Sequence, residues 1–188
     1  MKNELNIFSF EILKEIEKVI IDYDDSSIKI FEKYLLTKER IFLAGVGRTG
    51  LVIKSFAMRL MHLGLKVYVV GDINTPSINK NDLLIVGSGS GETETLVTIT
   101  DKAKSLGVTI VLFTSNRSSK IAKQSRIVLA INSPSPKLKN NHGNKSIQPM
   151  GSLFEQSLMI ILDSCILYLT KIMDMESTKM FVKHANLE

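Results

Sequence analysis

The chain has 188 residues, 44% hydrophobic and 23% charged, the size and balance of one globular domain with a single sizeable core. Its net charge of +5 suits a small anionic ligand; the lysines are scattered, without the basic block and interleaved aromatics of a nucleic-acid binder. The one cysteine, Cys165, stands in an apolar run and cannot form an intrachain disulfide, which fits a reducing, cytoplasmic setting and a buried, inert thiol.

The N-terminal stretch MKNELNIFSFEILKEIEK mixes acidic and basic residues and lacks the apolar run and cleavage site of a signal peptide. A helix is predicted there over 7–21 and a second over 26–36. Short runs rich in Ile, Val and Leu follow at 41–45, 66–70, 83–87, 108–114 and 126–131, alternating with helical patterns at 51–63 and 93–106. That alternation is the mark of parallel strands joined by crossover helices. Gly64 and Gly107 stand where left-handed C-caps would end the two helices. The stretch 132–149, rich in Pro, Asn, Ser and Lys, fits neither periodicity and exceeds the roughly 15 residues beyond which a connection is usually functional or mobile. A long helix is predicted over 152–173; its most hydrophobic window, 158–169, is broken by Asp163 and Ser164 and falls short of the roughly 20 residues of a membrane span, so it reads as a core helix.

Three features carry chemistry. Gly45-Val46-Gly47-Arg48-Thr49-Gly50 follows a strand, opens a helix and matches G-x-G-x-x-G, with Asp72 near the spacing of an acid that holds a ribose hydroxyl. A dinucleotide-binding oxidoreductase is one reading; Arg48 gripping a phosphate or sugar from a helix N-terminus is another, and a solvated surface arginine a third. The second feature, Ser88-Gly89-Ser90-Gly91-Glu92-Thr93, sits between the apolar strand LLIVG and a helix. Small residues, hydroxyls and a helix N-terminus are the parts of a phosphate cradle, and without a Walker lysine they suit a monophosphate ester better than a nucleoside triphosphate. A glycine turn with a serine N-cap is the plainer alternative.

The third is Glu155, which precedes by helical steps the apolar residues Leu158, Met159, Leu162, Ile166 and Leu169. A carboxylate at the head of a buried stripe is either a catalytic base or the glutamate of an S-x-x-E capping box with Ser152. His62, at a helix end, and His142, in the long connection, receive no role, and His184 by position alone is a frayed terminus. No histidine or acidic cluster has ligand spacing, so no metal and no cofactor is expected.

Four blocks in order, GVGRTGLVIKSFAMRLMHLGLKVYVVGD, DLLIVGSGSGETETL, IQPMGSLFEQ and MFVKHANLE, closely resemble the 6-phospho-3-hexuloisomerases of the sugar isomerase (SIS) domain superfamily. The likeness covers nearly the whole chain, with Thr49 where serine is more usual. It implies one SIS domain over residues 1–188, an α/β three-layer sandwich of flavodoxin-like type with a five-stranded parallel sheet. It implies a sugar-phosphate isomerase of the ribulose monophosphate route of formaldehyde assimilation, assembled as a homotetramer with sites near subunit boundaries. The serine-rich motif (Ser88, Gly89, Ser90, Gly91, Glu92, Thr93) matches the family's phosphate loop, Arg48 its substrate-contacting arginine and Glu155 its proposed general base. His184 could then complete a neighbouring subunit's site. A non-catalytic sugar-phosphate-sensing SIS module is the rival reading within the superfamily, and the resemblance leaves the dinucleotide reading little support.

Overall fold

The computed structural model describes residues 3–23, 26–135 and 145–187. Helices α1 (Glu4–Ile21) and α2 (Ile28–Thr37) lead into β1 (Ile41–Gly45), α3 (Gly47–His62), β2 (Val67–Val69) and β3 (Leu83–Gly87). Then come α4 (Glu94–Ser105), β4 (Thr109–Thr114), a 3-10 turn (Ala122–Gln124), β5 (Ile127–Ala130), α5 (Ser152–Ile172) and α6 (Ser177–Phe181). All five strands are parallel, in the order β2-β1-β3-β4-β5, so the sheet is the flavodoxin-like one that the sequence resemblance implied.

Strand residues of alternate parity build two cores. Ile41, Leu43, Leu83, Ile85, Val111 and Phe113 pack toward α1, α2, α3 and α5, whereas Phe42, Ala44, Leu84, Val86, Ile110 and Leu112 pack toward α4. Strand β3 is buried at every residue, which is why LLIVG reads as continuously apolar rather than alternating. Phe31 of α2 meets Phe113 edge-on at 5.3 Å, and each fully buried ring stabilises the fold by about 1.5–3 kcal/mol.

Both predicted glycine caps form. After α3 the amides of Gly64 and Leu65 donate to Met61 and Leu60, and after α4 those of Gly107 and Val108 donate to Lys104 and Ala103, the paired bonds of a Schellman ending. Helix α3 starts at Gly47 rather than at residue 51, because the glycine cluster is itself the helix's first turn. Gly45 and Gly50 make that possible: a Cβ on Gly50 would lie 2.7 Å from the Gly45 carbonyl oxygen, so strand and helix touch backbone to backbone. The short helix α6 was not anticipated. His142 and residues 136–144 of the long connection lie outside the described residues.

On α5, Leu158, Leu162, Ile166 and Leu169 are buried as expected, but Met159 is 45% exposed. The buried stripe runs instead through Phe154, Leu158, Ile161, Leu162, Cys165 and Leu169, which puts Glu155 on its edge. By length and composition α5 is the one helix among the described residues that could cross a membrane; half of its most apolar window is packed into this core.

Candidate active site

Strand β1 connects outward to β2 while β3 connects the other way to β4, so the loops leaving their carboxyl ends part and open a crevice. A cleft of about 320 Å³ lies there, within the range of small-molecule sites. Gly47, Arg48 and Thr49 form one wall, 87–90 and Thr93 another, and Met150, Gly151, Phe154 and Glu155 the third, with Pro134 and Ser135 at the edge.

The serine-rich loop is held from behind. The Gly89 carbonyl accepts from the Ser115 amide (2.9 Å) and the Thr114 hydroxyl (3.1 Å), that of Ser90 from the Asn116 side chain (3.3 Å), and that of Gly91 from the Ile121 amide (3.2 Å). With three successive carbonyls engaged, what remains for a ligand is mostly donors. Among the described residues the Gly89 and Ser90 amides have no partner within the chain, and Thr93, the N-cap of α4, makes no capping bond with its side chain. This is the composition of an anion cradle at a helix N-terminus. Ser88 and Ser90 also brace the turn, their hydroxyl oxygens accepting from the amides of Gly91 (3.1 Å) and Glu92 (3.3 Å).

Gly91 and Glu92, expected in the phosphate loop, are not among the residues lining the cleft. Gly91 has φ +64, and a Cβ there would collide with the side chain of Ser119. The Glu92 carboxylate turns to the 3-10 turn, accepting from the Lys120 amide at 2.8 Å and facing the Lys120 ammonium at 3.7 Å. Both shape the loop from outside the cavity.

Glu155, its side chain 15% exposed, reaches the cleft from the first turn of α5, with Oε2 3.4 Å from Arg48 Nε. Arg48 also donates to the Ser152 hydroxyl at 2.7 Å, tying α3 to α5. No capping box forms: Gly151 is the N-cap, no side chain caps the helix, and the carboxylate faces Arg48 and Thr49 instead. Burial pushes the Glu155 pKa above its ordinary value, and the Arg48 charge and a hydrogen bond with Thr49 oppose that rise without cancelling it. A carboxylate so placed is primed to accept a proton. Ser135 was not singled out in the sequence; Thr49 was noted only as standing where serine is more usual, and Ser152 only as the serine of the S-x-x-E spacing.

His184 is elsewhere in the chain. Its ring stacks on Phe181 at 5.8 Å and on His62 at 5.4 Å, beside a second cavity of about 400 Å³ that includes Ile166 and Thr170 of α5. At 1.5 Å per residue those positions lie about 16–22 Å along the helix from Glu155, so His184 does not reach the carboxylate of its own chain. His62 is 3% exposed; burial first, then the charges of Arg59 and His184, lower its pKa. Asp72, the acid of the dinucleotide reading, pairs with Lys54 at 3.7 Å. Among the described residues no group of three or more His, Cys, Asp or Glu converges on a metal position.

Comparison with known proteins identifies the family. The SIS domain model matches residues 34–160. A 3-hexulose-6-phosphate isomerase of Bacillus subtilis (strain 168) is 44% identical over 178 residues, covering 95% of this chain and 96% of that protein. The enzyme of the same name from Mycobacterium gastri is 38% identical over 187 residues, covering 99% and 90%. A crystal structure from Methanococcus jannaschii, reported to infer a molecular function of 3-hexulose-6-phosphate isomerase, superposes with a TM-score of 0.81 at 33% identity, covering 98% of this chain and 99% of that one. The chain therefore belongs to the SIS domain family and, within it, to the 3-hexulose-6-phosphate isomerases.

Proposed function

We propose that the protein is a cytoplasmic 6-phospho-3-hexuloisomerase interconverting D-arabino-3-hexulose 6-phosphate and fructose 6-phosphate, with Glu155 as the proton carrier. The observation that carries this reading is the Glu155 carboxylate, 15% exposed and 3.4 Å from Arg48, in the same cleft as the donor-rich serine loop. The 88–93 segment, chiefly Ser88, Gly89, Ser90 and Thr93, holds the phosphate.

Moving the carbonyl from carbon 3 to carbon 2 removes the proton on carbon 2 and delivers one to carbon 3 through an enediol or enediolate. One carboxylate does both, and Arg48 beside it stabilises negative charge developing on the substrate oxygens. A carbonyl at carbon 3 could close a five-membered ring only through the oxygen on carbon 6, which carries the phosphate. The 3-ketose therefore arrives as an open chain, and ring opening is needed only from fructose 6-phosphate.

The chain works as one domain within a homotetramer. Leu5, Phe8, Phe10 and Leu13 on the outer side of α1 are each more than half exposed, an apolar surface that suits burial between subunits. In such an assembly His184 serves a neighbouring subunit's site, where its imidazole shuttles a proton between the two oxygens or assists ring opening.

The test supplies formaldehyde, ribulose 5-phosphate and hexulose-phosphate synthase and follows fructose 6-phosphate. Its appearance at the protein's addition supports the reading. A rise in melting temperature with fructose 6-phosphate but no turnover identifies a sensing module instead.

A further inference from the structure

The chain entering α5 is held by a residue more than a hundred positions away. Glu15, in the body of α1, accepts from the Ser146 hydroxyl (2.7 Å) and the Gln148 side-chain amide (3.0 Å) on Oε2, and from the Ile147 amide (2.9 Å) on Oε1. The Gln148 amide in turn donates to the Ser146 hydroxyl oxygen at 3.0 Å, so three consecutive residues end on one carboxylate. Such an investment of a partly buried charge in a connecting segment asks what the segment positions.

Two residues further on, Met150, at φ +57, enters the cleft wall, followed by Gly151 and Glu155. The path is short, and its far end is bonded into the helix: the Ser152 amide donates to Pro149 at 3.2 Å and the Glu155 amide to Gly151 at 3.0 Å. A shift of 146–148 therefore passes into the turn that presents Ser152 to Arg48 and Glu155 to the substrate. Lys18, Asp22 and Lys145 are the other charged groups around the clamp, lining a recess of about 80 Å³ beside Glu15.

We propose that Glu15 is a positioning residue for the isomerisation, clamping residues 146–148 so that the first turn of α5 holds Glu155 in register with Arg48 and the bound sugar phosphate. This rests on Glu155 being the proton carrier. Glu15 touches no substrate; it acts through the wall it fixes, and a misplacement of about 1 Å at the base costs on the order of 10²-fold in rate.

The test compares Glu15→Ala and Glu15→Gln with the wild-type protein, well below their melting temperatures, in kcat, KM and amide hydrogen exchange over 147–155. Glu15→Ala is expected to lower kcat by about 10- to 100-fold with KM within about threefold, and to speed exchange in that segment. Glu15→Gln keeps an acceptor for the Ile147 amide and is expected to recover part of the loss. A Glu15→Ala protein whose kcat stays within twofold of wild type, with only the melting temperature lowered, overturns the proposal and leaves a purely structural tether. If the wild-type protein itself shows no turnover, the assignment of Glu155 fails first; unchanged exchange over 147–155 in Glu15→Ala then removes the clamp as well.

Discussion

Replacing Glu155 by glutamine changes one atom of the cleft and removes its ability to accept a proton. The amide has the carboxylate's shape, and its oxygen still serves the Arg48 guanidinium, 3.4 Å away in the native protein. The loss should therefore fall on chemistry. A positioned base contributes 10²–10⁴-fold, so kcat should drop by about 2.7–5.4 kcal/mol of transition-state stabilisation while binding of fructose 6-phosphate is kept. Stability moves the other way. The Glu155 pKa is raised in the folded state by burial, which outweighs Arg48 and Thr49. Its contribution to stability is therefore full below the unfolded pKa and lost as pH rises through the folded value. At neutral pH the buried carboxylate is a cost that a neutral amide relieves, so the variant should melt no lower than the native protein. The assays are single-turnover formation of fructose 6-phosphate, calorimetric binding of that sugar, and thermal denaturation at pH 7. Turnover within threefold of wild type would remove Glu155 from the mechanism; lost turnover with lost binding and a lower melting temperature would make it a structural residue.

The acid limb of kcat/KM should have its midpoint above the ordinary glutamate value of 4.5, and Arg48→Met should move it to still higher pH while raising KM, because the cation opposing the rise is gone. A limb that stays in place on that substitution, read from a pH–rate profile, would part Arg48 from the base in the working enzyme. Gly91→Ala should destabilise the fold by about 1–3 kcal/mol in urea denaturation, since φ is +64 and the new methyl meets Ser119. Adding Ser119→Gly should recover part of that, and strict additivity would deny the contact. If His184 serves a neighbouring subunit's site as proposed, His184→Ala and Glu155→Gln chains, each nearly inactive alone, should regain activity when denatured and refolded together, because some mixed sites would combine an intact His184 with an intact Glu155. No gain on mixing would take His184 out of the reaction.

Much of this protein can be read along the chain. The five apolar runs, the glycines that end α3 and α4, and the two glycine clusters after β1 and β3 are local signals: strand burial, cap geometry and turn chemistry depend on residues only a few positions apart. The alternation of the apolar runs with helical patterns already pointed to parallel strands; the family resemblance added the five-stranded flavodoxin-like form and the class of chemistry. Glu155 was visible as a carboxylate at the head of an apolar stripe, though its choice between helix cap and cleft was not. Tertiary structure decided that choice, because Arg48, 104 positions before Ser152, comes to α5 only when α3 and α5 pack side by side. It likewise turned Glu92 toward Lys120, set His184 at the far pole of α5 from Glu155, and joined Glu15 to Gln148 across 133 residues. Periodicity encodes which face of an element is apolar; which polar groups then meet is settled by strand order and helix packing, and no local pattern contains that information.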